Sequence, residues 1–128
     1  MINTEELIYK DLCYKLTGFA YEVDNTIGFG FAEKVYSDAF EELLKNNHIV
    51  YRREVYYPLK IGDKTIAQSY FDFLIEDKIV VELKVGGYKF KSVFQQIFQY
   101  LKISKLKLGM IIRFTENGVL IKRIPNLY

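Results

Sequence analysis

The run Tyr70-Phe71-Asp72-Phe73-Leu74-Ile75-Glu76-Asp77-Lys78-Ile79-Val80-Val81-Glu82-Leu83-Lys84-Val85 decides how this chain is read. Two apolar stretches of strand length are joined by the polar residues Glu76 to Lys78. Charge interrupts both: Asp72 stands alone in the first, Glu82 and Lys84 in the second. Side chains alternate along a strand, so Glu82 and Lys84 share a face. Burying either alone is costly, and each requires a partner, a metal ion or water. With a three-residue loop Ile75 pairs with Ile79, and Asp72 lies opposite Glu82 with the Cβ atoms about 5 Å apart. Two carboxylates that close repel unless a cation sits between them, and oxygen donors suit a hard divalent cation. Lys84, one pleat further along, reaches the same centre and can orient or activate a water. A two-residue loop would put Asp72 and Glu82 on opposite faces, so the register is itself an expectation. The competing reading is a buried ion pair that only organises the sheet. Three charges on one face are more than one ion pair requires.

Outward from this hairpin the hydrophobic period changes. Upstream, residues 49–59 are rich in Val and Tyr and read as a further strand, with a turn at Gly62-Asp63-Lys64 before a strand over 65–75 and another over 79–85. Before them, residues 3–25 carry Leu7, Ile8, Leu12, Leu16, Phe19, Ala20 and Val23 at helical spacing, with Asn3 or Thr4 as cap. Gly28-Phe29-Gly30 breaks that helix, and a second spans about 31–46 and ends at Asn46-Asn47. Downstream, residues 89–104 return to helical spacing, and 108–114 with 119–124 form a closing hairpin around Glu116-Asn117-Gly118. The order ααβββαββ implies an α/β (α+β) protein, a mixed sheet with helices packed on it. Repeats and linkers are absent, so residues 1–128 read as a single domain.

Composition narrows the class. With 128 residues, half of them hydrophobic and 16% aromatic, the chain can bury a core without disulfides. Cys13 is the only cysteine and His48 the only histidine, which leaves Cys-His zinc sites and His-based triads little support. Cys13 falls in an apolar helical pattern and reads as a buried, inert thiol. No stretch reaches the roughly 18 apolar residues of a membrane span. The start carries Glu5 and Glu6 rather than a basic stretch and an apolar run, so no leader and a cytoplasmic location are expected. The net charge is only +2, but residues 84–107 hold six lysines and no acid. Such a segment can neutralise phosphates or be a solvated helix face.

Two further groups bear on the chemistry. On a wheel of about 100° per residue, Glu33 falls beside Phe40 on the apolar side of the second helix, with Tyr36 in the same arc. It reads as an acid on a buried face, or else a boundary glutamate satisfied locally. In the third helix Gln96 and Tyr100 lie one turn apart on an edge of the apolar stripe, with Lys89 on the same edge. An amide there can hold a water, a phosphate oxygen or the lysine, or simply border the helix.

Together these residues resemble the GxxExxY protein family of the PD-(D/E)XK nuclease-like superfamily. Gly30-Phe31-Ala32-Glu33-Lys34-Val35-Tyr36 is the naming motif. Asp72 followed by Glu82-Leu83-Lys84 fits the superfamily's Asp…Glu-x-Lys signature, and Gln96-Ile97-Phe98-Gln99-Tyr100 fits the helix motif of RecB-type nucleases. Leu108-Gly109-Met110-Ile111-Ile112 and Lys122-Arg123-Ile124 look like the family's closing strands. Arg113-Phe114 departs from the family's Asn-Phe and is expected to lie outside the metal site. The resemblance implies a restriction-endonuclease-like fold and Mg²⁺- or Mn²⁺-dependent hydrolysis of nucleic acid, with DNA as the expected substrate. Asp72, Glu82, Glu33 and the Leu83 carbonyl would be metal ligands. Asp72, Glu82, Lys84, Glu33 and Gln96 would form the catalytic set. Lys89, Lys91, Tyr100 and Tyr36 would contact the nucleic acid. The alternative is an inactive module that keeps the fold for nucleic-acid or protein binding, and the small size suggests a homodimer or a partner protein.

Overall fold

In the computed structural model, which describes residues 8–87 and 90–127, the hairpin sits inside a five-stranded sheet. The elements are α1 (Lys10–Ile27), α2 (Glu33–Asn46), β1 (Tyr51–Arg52), β2 (Val55–Ile61), β3 (Lys64–Phe71), β4 (Phe73–Ile75), β5 (Ile79–Val85), α3 (Phe90–Ser104), β6 (Leu108–Thr115) and β7 (Gly118–Pro125). The sheet order is β1-β4-β5-β6-β7, and β2 with β3 forms a separate two-stranded ribbon. Among the described strands only β5 and β6 run parallel, joined through α3, so the sheet is mixed as expected.

Two of the expected strands are each broken in two. Residues 49–59 divide between Arg52 and Val55, and residues 65–75 divide at Asp72. The breaks face one another: Arg52 pairs with Leu74 in the sheet, and Val55 with Phe71 in the ribbon. Their physical cause lies across the hairpin. The Asp72 N–H donates to Glu82 Oε1 at 2.8 Å, and the Leu83 N–H donates to Asp72 Oδ2 at 2.7 Å. Side-chain carboxylates have replaced ladder carbonyls at this step, so regular pairing ends where the charges begin.

Apart from Glu82 and Lys84, β5 is apolar on both faces because both are covered. On one, Leu16, Phe19 and Val23 of α1 and Tyr36, Phe40 and Leu44 of α2 pack on Phe73, Ile75, Val81, Leu83, Met110 and Ile112. On the other, Ile97, Tyr100 and Leu101 of α3 pack on Leu74, Val80, Ile111 and Ile124, joined by Val55 and Phe71 of the ribbon. α3 lies so close that a Cβ on Gly109 would stand 2.5 Å from Ile97 Cγ2.

The helices differ in detail from expectation. α1 ends at Gly28, whose φ of 72° a side chain would resist; the expected cap at Asn3 or Thr4 lies outside the described residues. On α2 the buried side is Tyr36, Ser37, Phe40 and Leu44, whereas Phe31, Ala32 and Val35 are exposed. The apolar side is thus turned away from Ala32 toward Phe40, because α2 packs through its aromatic rings. Cys13 is buried, and burial pushes its thiol up. Among the described residues no helix is long and apolar enough to cross a membrane.

Candidate functional site

The three-residue loop is present. Ile75 faces Ile79 and Phe73 faces Val81, so continuing the register puts Asp72 across from Glu82. The Lys78 N–H closes the loop on the Ile75 carbonyl at 2.9 Å, and Glu76 and Asp77 adopt left-handed φ angles. The reciprocal hydrogen bonds to backbone amides use one oxygen of each acid. On Glu82 the other oxygen, Oε2, lies 3.6 Å from Lys84 Nζ. Glu82 is 6% exposed. Burial, and then the Asp72 charge, push its carboxyl up to about 8, against smaller opposing pulls from the Asp72 N–H and Lys84. Asp72 is also raised, chiefly by burial, with the Leu83 N–H and Lys84 opposing and the Glu54 charge adding to it. One lysine therefore does not neutralise this pair. Among the described residues no group of three or more His, Cys, Asp or Glu side chains is gathered tightly enough to hold a metal ion. The hairpin offers a pair of acids rather than a finished triad.

Glu33 is exposed, not buried, which corrects the helical-wheel expectation. It does lie on the Ser37–Phe40 side of α2, but as the first helical residue it overhangs the core. There it lines a cleft of about 280 Å³ with Lys34, Ser37, Arg53, Glu54 and Asp72. Partial desolvation at this mouth raises its pKa, while Lys84 lowers it and Asp72 raises it. Its field thus reaches the same two groups.

Ser37, Arg53 and Glu54 were not singled out by the sequence reading. Arg53 is held by Asp38 at 2.8 Å and Glu41 at 3.0 Å, with its guanidinium 5.5 Å from the Phe73 ring centre. Continuing the ribbon register beyond Val55↔Phe71 sets Glu54 across from Asp72. The available signal was the charged run Arg52-Arg53-Glu54 inside a Val- and Tyr-rich strand.

The tyrosines expected at the nucleic acid are core residues instead. Tyr36 is fully buried, donates its hydroxyl to the Gly28 carbonyl at 2.6 Å and stacks on Phe114 at 4.5 Å. It fastens the glycine loop that presents Glu33. Tyr100 is 7% exposed, packed 4.8 Å from Phe71 and 4.7 Å from Tyr57 between ring centres. Tyr36 is taken out of reach by ring burial, and Tyr100 shows only an edge to the groove beside α3, a difference the wheel cannot give. Gln96 is half-buried and lines a groove of about 380 Å³ between α3 and the ribbon, with Tyr57, Leu59, Ser69 and Gln99 among its walls. Lys91 is exposed near the start of α3, and Lys89 lies outside the described residues. Arg113 is nearer the site than expected. It is the register partner of Lys84, and its Nε donates to the Gly86 carbonyl at 2.6 Å while the Gly86 N–H donates to the Phe114 carbonyl. The turn after Lys84 is clamped by this residue.

Comparison with known proteins identifies the family and the fold. Residues 10–124 match the family model of the PD-(D/E)XK nuclease superfamily. The chain belongs to that superfamily, and among the described residues its mixed sheet, three helices and hairpin form the restriction-endonuclease-like fold. No curated protein matches it. Among solved structures, the crystal structure of SSO0001 is similar, with a TM-score of 0.57 and 21% identity over 96% of this chain. That likeness concerns the fold. The chain spans 60% of the length of SSO0001.

Proposed function

We propose that this PD-(D/E)XK chain, of the GxxExxY type, hydrolyses phosphodiester bonds in nucleic acid, with DNA as the preferred class. The observation that carries the reading is the opposition of Asp72 and Glu82 in one register, with Lys84 beside Glu82. A divalent cation fits this donor set. Buried Glu82 and half-buried Asp72 both have carboxyls raised by desolvation, which a bound cation would return to the ionised form, and both are hard oxygen donors. Asp72 and Glu82 would hold Mg²⁺ or Mn²⁺, with the Leu83 carbonyl as a third donor and Glu33 reaching it directly or through water. Such a cation supplies polarisation of the phosphate and a lowered pKa for the attacking water.

The chain's own groups divide the remaining work. Lys84 orients the attacking water and stabilises charge that develops on the phosphate oxygens. Glu33 accepts a hydrogen bond from a water at the cleft mouth. Gln96 supports the site from α3, and Lys91 holds backbone phosphates without reading sequence. The two backbone bonds fix the carboxylates before substrate arrives.

Those same two bonds favour a second reading, in which Asp72 and Glu82 are architectural and the protein only binds. Hydrolysis of a panel of single-stranded, duplex and branched DNA and of RNA, with Mg²⁺ and with Mn²⁺, separates the two. Expected is metal-dependent cleavage by wild type and none by Asp72→Asn. Equal activity in the two proteins would end the assignment.

A further inference from the structure

The Asp72 cleft opens onto the β2–β3 ribbon, and one step outward stands a pair of exposed aromatic rings. Tyr56 pairs with Tyr70 across the ribbon, and Val55 with Phe71 next to them. Val55 and Phe71 turn into the core beside Tyr100. Tyr56 and Tyr70 therefore take the side of the ribbon away from α3, and each stands two residues along its strand from Glu54 or Asp72, which both line the cleft. The ring centres are 5.1 Å apart, and the rings remain 48% and 54% exposed. The Tyr56 hydroxyl donates to Gln68 Oε1 at 3.0 Å, which orients that ring. The opposite side of the ribbon, with Tyr57, Leu59, Ala67 and Ser69, faces the α3 groove.

A cross-strand tyrosine pair by itself is ordinary support for a ribbon. Here it also stands beside a cleft lined by Glu33, Glu54 and Asp72, and the ribbon beyond it is cationic. Lys60 and Lys64 are exposed near its tip, with Asp63 the only acid between them. Exposed ring faces leading to a phosphate-handling cleft, with lysines behind, suit a strand whose bases are unpaired. Every unpaired base offers a π-face, whereas a duplex has none free along its length.

We propose that Tyr56 and Tyr70 form a stacking platform that leads an unpaired nucleic-acid strand into the cleft lined by Asp72, so single-stranded or frayed ends are the preferred substrate form. This rests on the hydrolysis reading for its direction, but binding tests it separately. Anisotropy of fluorescein-labelled oligothymidine and of a blunt duplex of equal length would be measured in EDTA, where neither is cut. The proteins are wild type, Tyr56→Ala, Tyr70→Ala and the corresponding Phe variants, with thermal melts confirming that each is folded. Expected is tighter binding of the single strand by wild type and a loss of about tenfold or more in each Ala variant, with the Phe variants close to wild type. Duplex binding should move little. Ala variants that bind and cut single strands like wild type would overturn the platform while leaving hydrolysis in place. A wild type that binds the duplex as well as the single strand, or binds neither, would also overturn it. Tyrosine-dependent binding by a protein that cuts nothing would keep the platform and remove the hydrolysis reading.

Discussion

Asp72 carries two duties that substitution can separate. Its Oδ2 accepts the Leu83 N–H, and its charge opposes Glu82. Asparagine keeps an acceptor oxygen and removes the charge, so Asp72→Asn should melt close to wild type in EDTA. Alanine leaves the Leu83 amide without its acceptor and should destabilise by about 1–3 kcal/mol. Wild type should gain about 2.7 kcal/mol from Mg²⁺ or Mn²⁺ at a hundredfold excess over the dissociation constant, and both variants should lose most of that gain. Thermal melts with EDTA and with each metal give the comparison. A metal-insensitive wild type and a badly destabilised Asp72→Asn would make the charges architectural. Glu82 adds a pH dependence. Its carboxyl titrates near 8 in the fold against 4.5 ordinarily, so between those values the folded chain holds a proton that the unfolded chain has lost. Stability in EDTA should therefore fall as pH rises from 4.5 through 8. Melts across that range should show the decline in wild type and a flatter profile in Glu82→Gln; a wild type that gains stability toward pH 8 would contradict the sign.

At the scale of elements, α2 and α3 are set against the sheet by close contacts that small changes can test. Gly109→Ala would drive a methyl into Ile97 Cγ2, with Val80 Cγ1 at 3.3 Å on the other side. Overpacking of this kind should cost about 1–3 kcal/mol, read as a lower midpoint in denaturant unfolding at unchanged slope. Tyr36→Phe keeps the ring on Phe114 and loses the bond to Gly28. It should cost about 1 kcal/mol and reduce hydrolysis by more than that stability loss explains, because Glu33 is presented by the loosened loop. Equal hydrolysis by Tyr36→Phe and wild type would make the motif a packing feature alone. The β4–β5 register was legible because a three-residue loop and an alternating pattern each fix which face a side chain takes. The broken strands were not, because bonds between Asp72 and the Glu82–Leu83 step join residues ten and eleven apart, beyond any local pattern. The exposure of Glu33 and the burial of Tyr100 were hidden for a related reason. A helical wheel gives direction around an axis and says nothing of where along it the neighbouring core ends.

Across the whole molecule, the described lysines of the segment that looks like one basic patch in sequence are spread out by the fold. Lys84 lies in β5 and Lys91 near the start of α3, at the site end of the sheet. α3 then runs 15 residues, about 22 Å, before Lys105 and Lys107. Those two exposed lysines stand near the far turn, where the Asn126 amide donates to the Leu101 and Leu106 carbonyls. Charge counted along the chain therefore overstates the charge that meets substrate in the cleft. A lysine that neutralises a phosphate releases counterions, and the logarithm of affinity falls with the logarithm of salt by about 0.7 per contact on a single strand and 0.9 on a duplex. Lys91→Ala should lower affinity and flatten that slope by about one such step. Lys105→Ala and Lys107→Ala should leave both affinity and slope where wild type has them. Salt titrations of oligonucleotide anisotropy on the three variants check this. Equal losses from all three would mean that the strand runs the length of α3, and the binding path would then pass along that helix as well as over the ribbon.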